Sequence, residues 1–204
     1  MSHVKLLLPG RKDRIAVAGR EAIFLRNEIE PHFIINALVR LPALIQSNPE
    51  EAIKFTNSLS FIYRDIMQMR DKELVPLEKE LDLFYNYVNL IKIDCGECID
   101  IDFVSKPGAH FFIVPISLQV LMENAVKHNY FSRDCPLYIR ISVDEKFICF
   151  CNRIHRKEYP SFSGKTGLKN LDERCHLVAG SRIEVEKNAH EFTVRLPLID
   201  VCHA

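Results

Sequence analysis

The spacing of apolar residues changes near residue 95, and this change constrains the fold more than any other feature of the sequence. Before that point, apolar residues recur every three or four positions over residues 20–46, 50–69 and 76–95, a spacing typical of amphipathic helices. After it, apolar and polar residues alternate as they do in half-buried strands. The predicted strands are Ile99–Phe103, Leu137–Val143, Arg182–Glu186 and Phe192–Leu198. The predicted helices among them are Ile116–His128 and Leu168–Val178.

This order predicts an α+β fold, with helices first and then a mostly antiparallel sheet covered by helices. Pro31 and Pro42 interrupt the first helical pattern, and we expect a kink or a break at each of them. The second helix should begin after Ser47-Asn48, where N-cap residues precede a proline and two glutamates. Its predicted buried residues are Ile53, Leu59, Ile62 and Ile66.

Charge and composition exclude several classes of protein. Lysine plus arginine (27) equals aspartate plus glutamate (27), so no net field favours nucleic acid or an anionic membrane. No stretch approaches the ~20 apolar residues of a membrane helix. Seven cysteines without a framework of spacings fit a reducing compartment, and the Cys95/Cys98 pair has no second pair to complete a metal site. We therefore expect a cytoplasmic chain without a membrane segment, either by itself or as the cytoplasmic part of a membrane receptor.

The first candidate for chemistry is His32, in the segment EPHFIIN. A lone histidine among apolar residues is usually structural. A neutral imidazole can, however, attack phosphorus near neutral pH. Glu28 lies four residues earlier, on the same helical face if the helix continues through Pro31, and can hold the other ring nitrogen. Both interpretations of His32 remain open from these residues alone.

The second candidate is the segment VPISLQVLMENAVKHN, an apolar helix that ends in polar residues. The polar end is either a solvated last turn or a phosphate site. Asn124 should lie near the buried face, where its amide needs a partner such as metal-bound phosphate. Lys127 and His128 would neutralise charge beside it.

The third candidate is the loop FSGKTGLKN, which enters a helix at a point where backbone amides can receive phosphate. Two glycines in a loop are weak evidence. The spacing of the glycines also excludes a Walker loop.

Taken in order, these segments and VPLEKEL resemble the LytS-type sensor histidine kinases. That family reads approximately QINPHFLFN, VPLxxEL, VPxxxxQxLVENAIKH and GxGLxNxxxRL. The counterparts here are EIEPHFIINAL, VPLEKEL, VPISLQVLMENAVKH and GKTGLKNLDERC, and they extend over about Arg20–Leu198.

The resemblance implies three regions: a lead segment (1–19), a helical dimerisation and phosphoacceptor region (20–95) and a GHKL-type α/β sandwich that binds ATP (96–204). The helical hairpin of each copy would pair with the other in a four-helix bundle. His32 would take a phosphoryl group from Mg-ATP and pass it to an aspartate of a response regulator receiver domain. The implied site residues are His32 and Glu28 for catalysis, Asn124 for magnesium, and, for the nucleotide, Asn124, Lys127, His128, Asn152, Gly164, Thr166 and Gly167.

Departures from the family pattern keep two alternatives open. Asn152 stands where an aspartate usually accepts the adenine amino group, and the glycines that follow it in the family are missing. Lys165 replaces a common lid glycine, and Glu28 and Glu30 replace glutamine and asparagine. One alternative is a histidine phosphotransferase or pseudokinase with a degenerate nucleotide site. The other is a scaffolding dimer in which His32 is structural.

Overall fold

The computed structural model of the chain describes residues 32–69, 71–104, 110–155 and 166–200. The described residues begin with two helices, α1 (His32–Ser47) and α2 (Pro49–Met69), which pack against each other. Asn48 joins them, and its Oδ1 accepts the backbone N–H of Glu51 at 3.2 Å, which caps the first turn of α2. The predicted start of the second helix is therefore confirmed.

Helix α1 continues through Pro42 to Ser47, so the helix is not broken at this residue, and a kink there stays a prediction. Pro42 is exposed, so water can reach the carbonyl that loses its amide partner. Pro31, the other predicted interruption, lies outside the described residues.

Helix α2 buries one stripe of residues at steps of three and four. They are Ala52, Phe55, Leu59, Ile62, Ile66 and Met69. Ile53 was expected in this set, but its side chain is 63% exposed. The reason is that Ile53 lies one position from the stripe, a rotation of about 100° around the helix.

The remaining described elements are eight strands and three helices. The strands are β1 (Val75–Pro76), β2 (Ile99–Phe103), β3 (Phe111–Ile113), β4 (Leu137–Val143), β5 (Phe147–Arg153), β6 (Glu184–Lys187), β7 (Glu191–Pro197) and β8 (Ile199–Asp200). The helices are α3 (Leu77–Cys95), α4 (Ser117–His128) and α5 (Thr166–Ala179). None of the described helices is long and apolar enough to cross a membrane.

The larger sheet has the order β2-β4-β5-β7-β6, and only its β2–β4 pair is parallel. This confirms an α+β fold with a mostly antiparallel sheet. Helix α4 packs against β5 and α5 against β7. Helix α3 packs against both α2 and α4, and its buried Phe84 makes an edge contact with Phe150 of β5. Helix α3 therefore connects the first two helices to the sheet region.

A smaller sheet, which the alternation did not predict, has the order β1-β3-β8. Val75 pairs with Ile113 and Pro76 with Phe112, antiparallel. This pairing places the start of α3 beside the segment that enters α4. The two Val-Pro motifs of the sequence are thereby brought to one place in the fold.

Candidate functional site

Helix α4 carries three of the predicted nucleotide residues near its C-terminal end. Its buried face includes Leu121, Met122 and Ala125, which fix the helix in the core. Asn124 and Lys127 are half-buried and His128 is exposed. The cationic side chains lie in the last turn, where the carbonyl end of a helix favours positive charge.

The N-terminus of α4 is held by a residue of another helix. Ile116, the N-cap, offers no side-chain hydrogen bond and has φ 64°, the only positive φ of a non-glycine residue within the described ranges. A β-branched residue in this region is strained. Glu80 of α3 supplies the missing acceptors, because its Oε2 accepts Ile116 N–H and its Oε1 accepts Leu118 N–H, both at 2.8 Å.

The Glu80 carboxyl is fully buried. Desolvation raises its pKa to about 7, although the amide hydrogen bonds and the charge of Arg174 oppose this shift. Arg174 of α5 also donates from Nη2 to Pro115 O at 2.9 Å. The start of α4 is thus held from α3 on one side and from α5 on the other.

Sequence reasoning did not assign a role to Glu80 or Arg174. The available signal was their position in the motifs, since Glu80 is the glutamate of VPLxxEL and Arg174 the arginine of GxGLxNxxxRL. Their link to Pro115 and Leu118 depends on contacts between distant residues, which spacing does not reveal.

The start of α5 lies against α4. A Cβ atom built on Gly167 would be 3.6 Å from Cγ1 of Val120, one turn before Asn124. Thr166 begins α5, but its side chain is not among those described, and Gly164 lies outside the described residues. Of the predicted lid residues, Gly167 is therefore placed beside the helix that carries Asn124.

Asn152 lies on β5 and is buried, and its Nδ2 donates to the Arg153 carbonyl at 2.9 Å. The end of this strand is joined to the end of α4 by Asn129. The Oδ1 of Asn129 accepts the N–H of His155 at 2.9 Å, and its Nδ2 donates to Ala125 O at 2.8 Å. The structure therefore brings the ends of α4 and β5 together, and Asn129 is a second residue to which the sequence analysis assigned no role.

The predicted catalytic pair, His32 and Glu28, is placed less fully. His32 is the first residue of α1, its side chain is not among those described, and Glu28 lies outside the described residues. Two cavities of about 410 Å³ each lie elsewhere, one between α3 and β2 and the other beside His155 and His190. None of the predicted site residues is part of their described lining.

Among the described cysteines, Cys98 is disulfide-bonded. Cys135, Cys149, Cys151 and Cys175 are free. The spacing of the cysteines did not predict a disulfide, because spacing alone does not show which thiols lie within bonding distance.

The residues brought together fit a magnesium nucleotide. An amide oxygen (Asn124), an ammonium (Lys127) and an imidazole (His128) lie along the end of one helix, with a small residue, Gly167, at the start of the facing one. An amide oxygen is a ligand that Mg²⁺ accepts, and cationic groups suit phosphate oxygens. The side-chain types and their common location are compatible with ATP.

Comparison with known proteins relates the chain to histidine kinases. The family model described as "Histidine kinase" matches residues 20–99. Sensor protein LytS of Streptococcus agalactiae serotype V is 26% identical over 193 residues, which cover 85% of this chain and 33% of that protein. Sensor histidine kinase YesM of Bacillus subtilis (strain 168) is 29% identical over 209 residues, which cover 93% of this chain and 34% of that protein. The chain thus spans about a third of the length of these curated relatives.

The cytoplasmic segment of histidine kinase QseC is 15% identical with a TM-score of 0.40, over 62% of this chain and 77% of that chain. A TM-score this low supports no conclusion about fold or function. The family match and the sequence relatives carry the assignment: the chain is related to the LytS-type sensor histidine kinases, and the family predicted from its motifs is confirmed.

Proposed function

We propose that this chain is the catalytic part of a two-component sensor histidine kinase. It autophosphorylates on His32 from Mg-ATP and passes the phosphoryl group to an aspartate of a response regulator receiver domain. Two observations carry the proposal: Gly167, at the start of α5, lies against Val120, one turn before Asn124, and Asn129 joins the end of α4 to the segment that follows β5. Kinship with sensor histidine kinases supports the reaction type.

The division of labour follows the predicted regions. The first region, residues 1–19, is a lead segment. The second, residues 20–95, dimerises and presents His32. The third, residues 96–204, is a GHKL-type ATP-binding domain. Asn124 holds magnesium, and Lys127 and His128 face the phosphates. Asn152 accepts the adenine amino group, and Gly164, Thr166 and Gly167 belong to the lid over the nucleotide.

The protein contributes position and charge more than bond-making groups. ATP supplies the phosphoryl group, and a transferred phosphoryl group needs alignment and neutralisation of its oxygens. Lys127 supplies a fixed positive charge at the end of α4. Glu28 orients the His32 ring by accepting a hydrogen bond from the nitrogen that does not react.

The exposed surface of the first two helices supports a homodimer. Their exposed large apolar side chains are Leu38, Val39, Ile45, Ile53, Phe61, Tyr63 and Met67. Val39 is 72% exposed, and a surface of this kind is typical of an interface. A second copy would cover it in a four-helix bundle.

Light scattering tests the dimer with a matched pair of variants. Val39→Lys should weaken the dimer by at least about tenfold, because it places a charge in the apolar contact. Val185→Lys changes another exposed valine, which lies on β6 and is 49% exposed, and should leave the mass unchanged. A wild-type monomer at micromolar concentration would contradict the proposal.

One observation favours a second function, that of a histidine phosphotransferase or pseudokinase. Asn152 is 2% exposed, and its amide nitrogen already donates to the neighbouring carbonyl. An amide in place of a carboxylate is a weaker acceptor for adenine. In this case His32 still takes phosphate from a phosphorylated regulator but not from ATP.

Incubation with magnesium and γ-labelled ATP separates the two functions. A kinase acquires label that is stable in base and lost in acid, as expected for a phosphoramidate, and chelation of magnesium abolishes it. Label that appears only after incubation with a phosphorylated receiver domain supports the phosphotransferase. Absence of label under both conditions contradicts both proposals.

A further inference from the structure

Three of the four family motifs meet in one buried cluster, to which we give the name hinge cluster: Glu80, Pro115, Ile116, Leu118 and Arg174. We propose that Glu80 and Arg174 are positioning residues that set the relative placement of α4 and α5. This inference rests on the proposed function in one respect, namely that these two helices bind the nucleotide. The cluster lies at the opposite end of α4 from Asn124, so it acts at a distance from the phosphates.

The start of α4 is fixed by hydrogen bonds to a residue of another helix. A helix N-terminus leaves its first amides without intrahelical partners, and here the N-cap side chain offers no acceptor. One carboxylate accepts two of these amides, from Ile116 and Leu118, at 2.8 Å each. Two bonds to the two oxygens of one rigid group fix the direction of the helix as well as its distance from α3.

Helix α5 contacts the segment that enters α4. Arg174 donates to the carbonyl of Pro115, the residue immediately before the N-cap, at 2.9 Å. Its positive charge also favours the ionised form of the Glu80 carboxyl. Arg174 lies two turns after Gly167, so the same helix contacts α4 at Val120 and its entry segment at Pro115.

The backbone of Ile116 is strained, so contacts with other residues must hold it in this conformation. Residues held at positive φ persist only where surrounding contacts maintain them. The contact that maintains Ile116 is the hydrogen bond from its N–H to Glu80. When this bond is lost, the entry of α4 can relax toward an ordinary conformation and rotate the face that carries Asn124.

Burial makes this contact sensitive to pH. The pKa of Glu80 is raised to about 7, chiefly by desolvation. Arg174 faces it from α5, and the backbone amides of Ile116, Ser117 and Leu118 face it from the start of α4. The ionised carboxylate accepts both amides more strongly than the neutral acid, so the helix is held best above the pKa.

The test compares Glu80→Gln with Glu78→Gln on the whole chain. Glu78 is exposed in the same first turn of α3, so its substitution removes a carboxylate without touching the cluster. Calorimetry with Mg-ATP at pH 8 should show affinity reduced by about tenfold for Glu80→Gln, the effect of one lost charge-assisted hydrogen bond, and unchanged for Glu78→Gln. The difference from wild type should shrink as pH falls through 7.

Amide hydrogen exchange provides a readout that does not need the nucleotide. Glu80→Gln should lower the protection of the Leu118 amide and of the next turn of α4 at pH 8, while the amides of β5 stay protected. Arg174→Lys, which keeps the charge but has a different donor geometry, should restore part of the protection lost in Arg174→Met.

The outcomes separate the two claims. If wild type binds no nucleotide, the proposed function fails, and hydrogen exchange alone decides the positioning role. If wild type binds and both glutamate variants behave alike in affinity and exchange at every pH, the positioning role is refuted and the proposed function stands.

Discussion

Replacing Glu80 by glutamine removes a buried titratable group, and the effect should appear in the pH dependence of stability. The folded-state pKa of about 7 lies above the ordinary value of 4.5, so between these values the folded chain binds a proton that the unfolded chain has released. Stability due to this group is therefore highest below pH 4.5. It falls as the pH rises toward 7, and it levels off above that.

The size of the effect follows from the same two values. One pKa unit corresponds to about 1.4 kcal/mol, so a pKa raised from 4.5 to about 7 corresponds to about 3 kcal/mol. The carboxyl is fully buried, so solvent screening does not reduce this figure. Glutamine does not titrate. We therefore expect the difference in free energy of unfolding, wild type minus Glu80→Gln, to fall by about 3 kcal/mol between pH 4.5 and pH 8.

Urea unfolding followed by circular dichroism at several pH values measures this difference. Glu78→Gln serves as the control for a lost exposed carboxylate. Parallel pH curves for wild type and Glu80→Gln would refute the reasoning, because they would mean that the carboxyl titrates alike in the folded and unfolded chain.

The remaining predictions concern other residues. Phe84→Ala should lower the free energy of unfolding by about 3–5 kcal/mol in urea titrations, because Phe84 is fully buried against Phe150; a loss below 1 kcal/mol would contradict the described packing. Asn124→Ala should abolish magnesium-dependent nucleotide binding in calorimetry and change stability by no more than about 1 kcal/mol, and unchanged affinity would remove Asn124 from the site. Gly180→Ala should cost about 1 kcal/mol through its φ of 69° alone, since nothing lies within 4 Å of the added methyl, and a neutral result would contradict that backbone conformation.

The sequence predicted the long elements well, because their periodicity is set by burial. Steps of three and four from Phe55 to Ile66 and alternation in Ile99–Phe103 need only a hydrophobic face to be recognised. Ile53 was wrongly expected to be buried, because Ala52 and Ile53 are both apolar. The sequence alone does not show which of the two lies on the buried stripe. A break at Pro42 could not be ruled out from the sequence, because the cost of a missing hydrogen bond depends on exposure, which spacing does not reveal.

The short strands and the hinge cluster were not predictable in the same way. Strand β1 has two residues and β3 has three, too few for alternation to show. The role of Glu80 depends on contacts with residues 36 and 38 positions later. Glu80 and Arg174 occupy positions within the family motifs, but only the fold shows that they contact the start of α4 and the segment before it.

The most direct test of the central claim asks which residue carries the phosphoryl group. Wild type, His32→Gln and His190→Gln, an exposed control histidine, are incubated with Mg-ATP, and the label is localised by mass spectrometry at neutral pH. Glutamine keeps hydrogen-bonding capacity but has no nucleophilic nitrogen. We expect acid-labile label on His32 in wild type and in His190→Gln, and none in a folded, dimeric His32→Gln. Label that persists in His32→Gln, for example on His128, would contradict this expectation.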